Sequence, residues 1–163
     1  MPDRDALYFE DFHVGRRFVS RGVTLSEAEI IDFALKYDPQ PFHIDKVAAS
    51  KSPYGGLIAS GFHTLSAAFR MAIQHNVFTA CSMGSPGLDE LRWLKPVYPG
   101  DTLYTEFEVA HAEPSKSRPD RGRVRMAYTV RNQDGEAVMT LTAMQIMKTR
   151  AAAETEADED AAQ

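Results

Sequence analysis

The chain has 163 residues, 44% of them hydrophobic and 25% charged, which suits one globular domain with a genuine core. Its net charge of -5 argues against a nucleic-acid partner, because phosphate backbones are bound by basic faces. A single cysteine, Cys81, excludes an internal disulfide framework and fits a reducing compartment.

The N-terminus, MPDRDALYFEDF, is too polar for a secretory signal, and no apolar run approaches the ~20 residues that span a bilayer. A cytoplasmic protein without a membrane partner is expected. Residues 16–25, RRFVSRGVTL, predict a strand. Ser26 and Glu29 then form the pattern of a helix-capping box, and Ile30, Phe33, Ala34 and Tyr37 mark one apolar helix face. Asp38-Pro39 ends that helix, because the residue before proline is pushed out of helical geometry.

The next stretch, YDPQPFHID (37–45), gathers Asp38, Gln40, His43 and Asp45 around two prolines, Pro39 and Pro41, and predicts irregular chain. DKVAAS predicts a helical turn or two. After the turn cluster Pro53, Gly55 and Gly56, a nearly charge-free run from Gly61 to His75 predicts a buried helix, with Leu65, Ala68, Phe69, Ala72 and Ile73 at helical spacing. Strand patterns follow: GLDELRWLKPV, then TLYTEFEVAHAE, RVRMAYTVRN and EAVMTLTAMQIMKT, the last read through Val138, Thr140, Thr142 and Gln145. Asp134-Gly135 is a hairpin signal. Helices early and antiparallel strands late make an α+β domain over residues 8–150, with the sheet expected to wrap the charge-poor helix. The acidic residues 151–163 lack material for a core and are expected to be a frayed helix end or a disordered tail.

Asp38 and His43 are five positions apart on a proline-stiffened segment. A carboxylate and an imidazole held together can orient one water and move its protons. The plainer alternative is a helix end beside a loop histidine bonded to backbone. A metal site of Asp38, His43 and Asp45 is a weaker rival, as no cysteine lies near and His63 is not at a ligand spacing. Ser60 can cap the apolar helix. Gly61 would then present a backbone N–H at its positive end, where an oxyanion is stabilised, unless the pair is merely a cap and a close-packing point.

Four segments in order, YFEDFHVG, YDPQPFHID, YGGLIASGFHT and LDELRWLKPVYPGDTL, resemble the MaoC-like dehydratases, relatives of the (R)-specific enoyl-CoA hydratases. The resemblance covers most of residues 8 to 148. It implies a hot-dog fold, a curved antiparallel β-sheet wrapped around a long central α-helix, with YFEDFHVG as the first strand. It places Asp38 and His43 on the catalytic pair and Gly61 on the glycine whose N–H faces the thioester carbonyl. Gln40 stands where the family usually has Asn, a difference of about one carbon–carbon bond in amide reach.

The implied activity is hydration of a 2-enoyl thioester, or dehydration of the 3-hydroxyacyl one. Coenzyme A is part of the substrate, and neither a separate cofactor nor a metal is called for. Gln40, Phe42, Ser60 and Phe62 would contact substrate, and Ile58 and Phe69 could join them along an acyl groove. A homodimer or dimer of dimers is implied. The basic loop PSKSRPDRG, with Lys116, Arg118, Arg121 and then Arg123, is either a phosphate contact for the carrier or a solvated hairpin tip. An acyl-CoA thioesterase is the nearest enzymatic alternative, and a non-catalytic acyl-thioester-binding subunit the alternative of another class.

Overall fold

The computed structural model describes residues 6–162, so the first five residues of the polar N-terminal stretch and Gln163 lie outside it. Where a first strand was expected, Phe9–Asp11 is a single 3-10 turn closed by a hydrogen bond from the Tyr8 N–H to Asp11 Oδ2 at 2.8 Å. The strand expected over 16–25 is divided into β1 (Arg17–Val19) and β2 (Val23–Thr24). Both pair with β4 (Thr102–Pro114), and between them Ser20 Oγ accepts from the Thr105 N–H at 2.9 Å. A side chain there replaces a carbonyl of the ladder, so the strand bends without leaving a buried donor unpaired.

Helix α1 (Glu27–Tyr37) starts on the expected Ser26–Glu29 capping box, and Asp38 is its C-cap. Ile30 and Ala34 are buried, but Tyr37 projects into solvent. The proline segment is not irregular throughout. Pro41 begins a single helical turn, α2 (Pro41–Ile44), because a first-turn residue needs no N–H and proline's fixed φ already suits a helix. Asp45 caps α3 (Lys46–Ser50). Helix α4 (Gly61–Gln74) is capped by Ser60.

The sheet runs β1-β4-β5-β6-β3, all antiparallel, with β3 (Gly87–Trp93), β5 (Arg121–Arg131) and β6 (Ala137–Lys148) completing it. This is the expected hot-dog arrangement. Alternation puts Phe107 and Val109 of β4, and Met126 and Tyr128 of β5, on the inner face. On β6 the inner set is Met139, Leu141, Ala143, Gln145 and Met147; of the residues read from the sequence Gln145 belongs to it, whereas Val138, Thr140 and Thr142 lie on the alternate row. Ala67, Ala68 and Ala72 are the buried small residues of α4, and they let the helix lie close to these aromatic side chains. Phe69 stacks on Tyr128 with ring centroids 5.6 Å apart, so it belongs to this packing rather than to a groove. The helix is not buried on every side, since Phe62, Ser66, Arg70 and Ile73 form an open stripe.

The acidic C-terminal segment is a helix, α5 (Arg150–Ala161), rather than a disordered tail. Alanine and glutamate favour helix, Thr149 caps it, and Arg150 pairs with Asp11 at 2.6 Å while lying over the Tyr8 ring. Among the described residues no helix is long and apolar enough to cross a membrane.

Candidate active site

The site is assembled around an extended segment, residues 57–60, that leads into α4. On one side the Ile58 N–H donates to the Phe42 carbonyl at 3.1 Å. On the other the Ala59 N–H donates to the Val97 carbonyl at 2.8 Å. The proline turn and the chain after β3 are thereby drawn to the same end of α4. They enclose a cavity of about 480 Å³ whose walls include Asp38, Gln40, Phe42, His43, Gly61 and Phe62. All of these were expected in the site from the sequence. Ile58 lines it too, and Trp93, Tyr54 and the segment 94–97 complete the wall.

His43 is buried, and its two ring nitrogens have different tasks. Nδ1 lies 2.8 Å from the Ile58 carbonyl, which can only accept, so this nitrogen carries a proton. Nε2 faces Asp38 Oδ2 at 3.3 Å. It is therefore the nitrogen that can gain and lose a proton, while the backbone contact fixes the ring. The Asp38 carboxylate is held at both oxygens. Gln40 Nε2 donates to Oδ1 at 2.8 Å, and the Ser60 hydroxyl donates to Oδ2 at 2.6 Å. Burial pushes the Asp38 carboxyl up, but the Ser60 and Gln40 hydrogen bonds and the neighbouring His43 outweigh it and hold the group below its ordinary range.

Ser60 does not line the cavity as expected. It is fully buried, with its hydroxyl given to Asp38 while accepting from the Phe62 N–H at 3.2 Å. Gly61, next along, sits in the first turn of α4, where backbone N–H groups have no intrahelical acceptor. No acceptor for its N–H is present among the described residues, and the residue opens on the cavity. The positive end of the helix adds to the field there. Among the described residues no group of three His, Cys, Asp or Glu side chains is placed to hold a metal ion.

A second cavity, about 630 Å³, lies at the other end of α4 between Ser20, Arg21, Met71 and His75. Among the described residues no carboxylate lines it. The basic loop 115–120 lies beyond the paired ends of β5 and β6, at Arg121↔Lys148, whereas the site adjoins Trp93↔Met139 and Val130↔Met139. Nine residues of strand separate the two, roughly 30 Å. Within one chain the loop therefore does not flank the cavity.

The family model for the MaoC like domain matches residues 11–133. The chain is similar to the crystal structure of a MaoC-like dehydratase from Rhodospirillum rubrum, at 41% identity and a TM-score of 0.81, covering 89% of this chain and 99% of that one. It also resembles the R-hydratase PhaJ1 from Pseudomonas aeruginosa, at 27% identity and a TM-score of 0.72, covering 88% and 86% of the two chains. A 3-hydroxybutyryl-CoA dehydratase from Methylorubrum extorquens is 28% identical over 134 residues, 79% of this chain and 77% of that protein.

Proposed function

This chain belongs to the MaoC-like dehydratase family, and on that footing we propose that it hydrates a trans-2-enoyl thioester of coenzyme A, or dehydrates the 3-hydroxyacyl thioester. The observation that carries the reading is the meeting, in one cavity, of the Asp38–His43 pair and the unbonded N–H of Gly61. An acid–base pair can handle a water, and an N–H donor can hold a developing oxyanion.

The steps balance without a further reactant. Asp38 and His43 together hold a water beside the β-carbon, and its oxygen attacks that carbon. Asp38 accepts the proton released as the C–O bond forms. The π electrons move toward the thioester, whose oxygen is held by the Gly61 N–H. His43 delivers the Nε2 proton to the α-carbon on the same face. Asp38 then returns its proton to His43 across 3.3 Å, which restores the pair. Coenzyme A enters only as part of the substrate, and the reaction so written needs no metal and no separate cofactor. Phe42 and Phe62 supply apolar wall for the acyl group.

A homodimer or dimer of dimers goes with this reading. Among the described residues strand β3 pairs only with β6, and Leu88 and Leu94 are exposed along or just after it. An open edge of that kind is an invitation to pair with a second sheet.

The test is a panel of enoyl-CoA thioesters differing in length and branching, followed by loss of enoyl absorbance, beside a saturated acyl-CoA assayed for free thiol. Hydration of at least one enoyl substrate without thiol release is expected. Thiol release alone would make the protein a thioesterase, and binding without turnover would make it an acyl-binding subunit.

A further inference from the structure

Trp93 is the last residue of β3, an edge strand with an irregularity. Asp89 pairs with Thr142 and Arg92 with Thr140, so β3 spends one residue more than β6 between these pairs. Glu90 has φ of 53°, in the left-handed region. This is a β-bulge, and it reverses which side chains face inward. Leu88 lies opposite Ala143 before the bulge, and Trp93 lies opposite Met139 after it. Ala143 and Met139 are both fully buried inner-face residues, so Leu88 and Trp93 share the α4 side although five positions separate them. Without the extra residue, strict alternation would turn Trp93 outward.

The indole then meets the first residue of α4. Trp93 Nε1–H donates to the Gly61 carbonyl at 3.0 Å. A Cβ built on Gly61 would lie 2.4 Å from Trp93 Cε2 and 2.7 Å from Nε1. Gly61 does not have a positive φ, so its lack of a side chain serves this close approach rather than an unusual backbone conformation. Phe62 braces the indole edge-on, with centroids 5.6 Å apart. Trp93 is 48% exposed and lines the cavity, so the face not pressed on Gly61 is open to a ligand.

We propose that Trp93 is a positioning residue: its indole holds the Gly61 carbonyl and packs against the Gly61 Cα, which restricts rotation about both backbone bonds of that residue and keeps its free N–H aimed into the cavity, and its open face forms a wall for the thioester. The proposal rests on the reading of Gly61 as the oxyanion donor. A glycine at the mouth of a cavity has the most backbone freedom of any residue, and an oxyanion donor works only when its direction is fixed beforehand. Phenylalanine at 93 would keep ring packing but lose the hydrogen bond.

The experiment compares wild type, Trp93→Phe and Trp93→Ala, each as the full chain. It uses the substrate found in the enoyl-CoA panel and the backbone amide resonance of Gly61 in the free protein. Trp93→Phe is expected to lower kcat about three- to tenfold, the worth of one neutral hydrogen bond, with KM moving less than about twofold. It should also shift the Gly61 amide resonance. Trp93→Ala should lower kcat further and raise KM, because the wall is gone. Gly61→Ala should be better tolerated with Trp93→Ala than alone, since the added methyl then has space. If Trp93→Phe leaves both kcat and the Gly61 amide unchanged, the clamp is refuted. If the amide responds but wild type turns over no enoyl thioester, the clamp stands and the hydratase reading falls.

Discussion

Ser60 Oγ donates to Asp38 Oδ2 across 2.6 Å, joining residues 22 positions apart in the chain. The same oxygen accepts the Phe62 N–H and so caps α4. One hydroxyl therefore ties the carboxylate to the helix end that carries the Gly61 N–H. The two halves of the candidate site are thus joined through a single side chain.

Asp38→Asn and His43→Gln should each lower turnover of an enoyl-CoA substrate by about 10²–10⁴-fold, the usual worth of a positioned acid or base. Far-UV circular dichroism should be unchanged in both. Wild-type turnover in both variants would remove the pair from the mechanism.

Ser60→Ala should have two separable effects. Loss of the cap should cost about 1 kcal/mol of stability, measured by denaturant unfolding. Loss of the hydrogen bond to Asp38 should let its carboxyl rise toward the ordinary 3.8. The acid limb of the kcat/KM profile should move upward accordingly. Gln40→Ala should move the same limb without the loss of the helix cap, since Gln40 is an exposed residue that bonds Asp38 Oδ1 but does not cap α4. Because the Asp38 carboxyl is held low in the folded chain, its contribution to stability is present above 3.8 and lost as pH falls through the folded value.

His63 gives a second pH effect of known sign. It is buried, stacks on Phe33 at 4.7 Å, and its Nδ1 has no partner among the described residues. Burial holds its imidazole below the ordinary 6.5; Glu29 pulls it up, and Arg70 pushes it down. Below 6.5 the unfolded chain binds the proton more readily than the folded one. The stabilisation is therefore complete above 6.5 and is lost as pH falls from there through the folded value. Urea midpoints at about pH 7.5 and about pH 5.5 should differ more for wild type than for His63→Gln. Equal differences in the two proteins would contradict this.

Tyr128→Phe should be neutral or stabilising by up to ~1 kcal/mol, because a buried hydroxyl without a partner costs about 1–3 kcal/mol. The Tyr128 OH is buried and unpaired among the described residues, while its ring stacks on Phe107 at 5.3 Å and on Phe69. A clear drop in thermal midpoint would mean that the hydroxyl has a partner or a task.

Much of the fold was legible because its signals are local. The Ser26–Glu29 capping box, the Ser60 cap and the alternation in β4 and β5 each reflect neighbours on the same helix or strand. Pro41 was misread as a helix breaker because proline's effect depends on position, and at the first turn it helps. The alternation read along β6 mixed its two rows, Val138, Thr140 and Thr142 from one and Gln145 from the other, because the residues are mostly apolar on both faces.

The proline-stiffened placing of Asp38 and His43, the glycine after the Ser60 cap, and most of the elements that carry them were readable from residue order alone. Those are properties of backbone preference and spacing, which act over a few residues. That the Ser60 hydroxyl is given to Asp38, and that Trp93 presses on Gly61, emerged from the packing of distant segments. Both contacts join residues 22 and 32 positions apart, and the second also depends on a bulge that reverses one strand's facing. Such pairings follow from the way the sheet packs on α4, which no local pattern encodes.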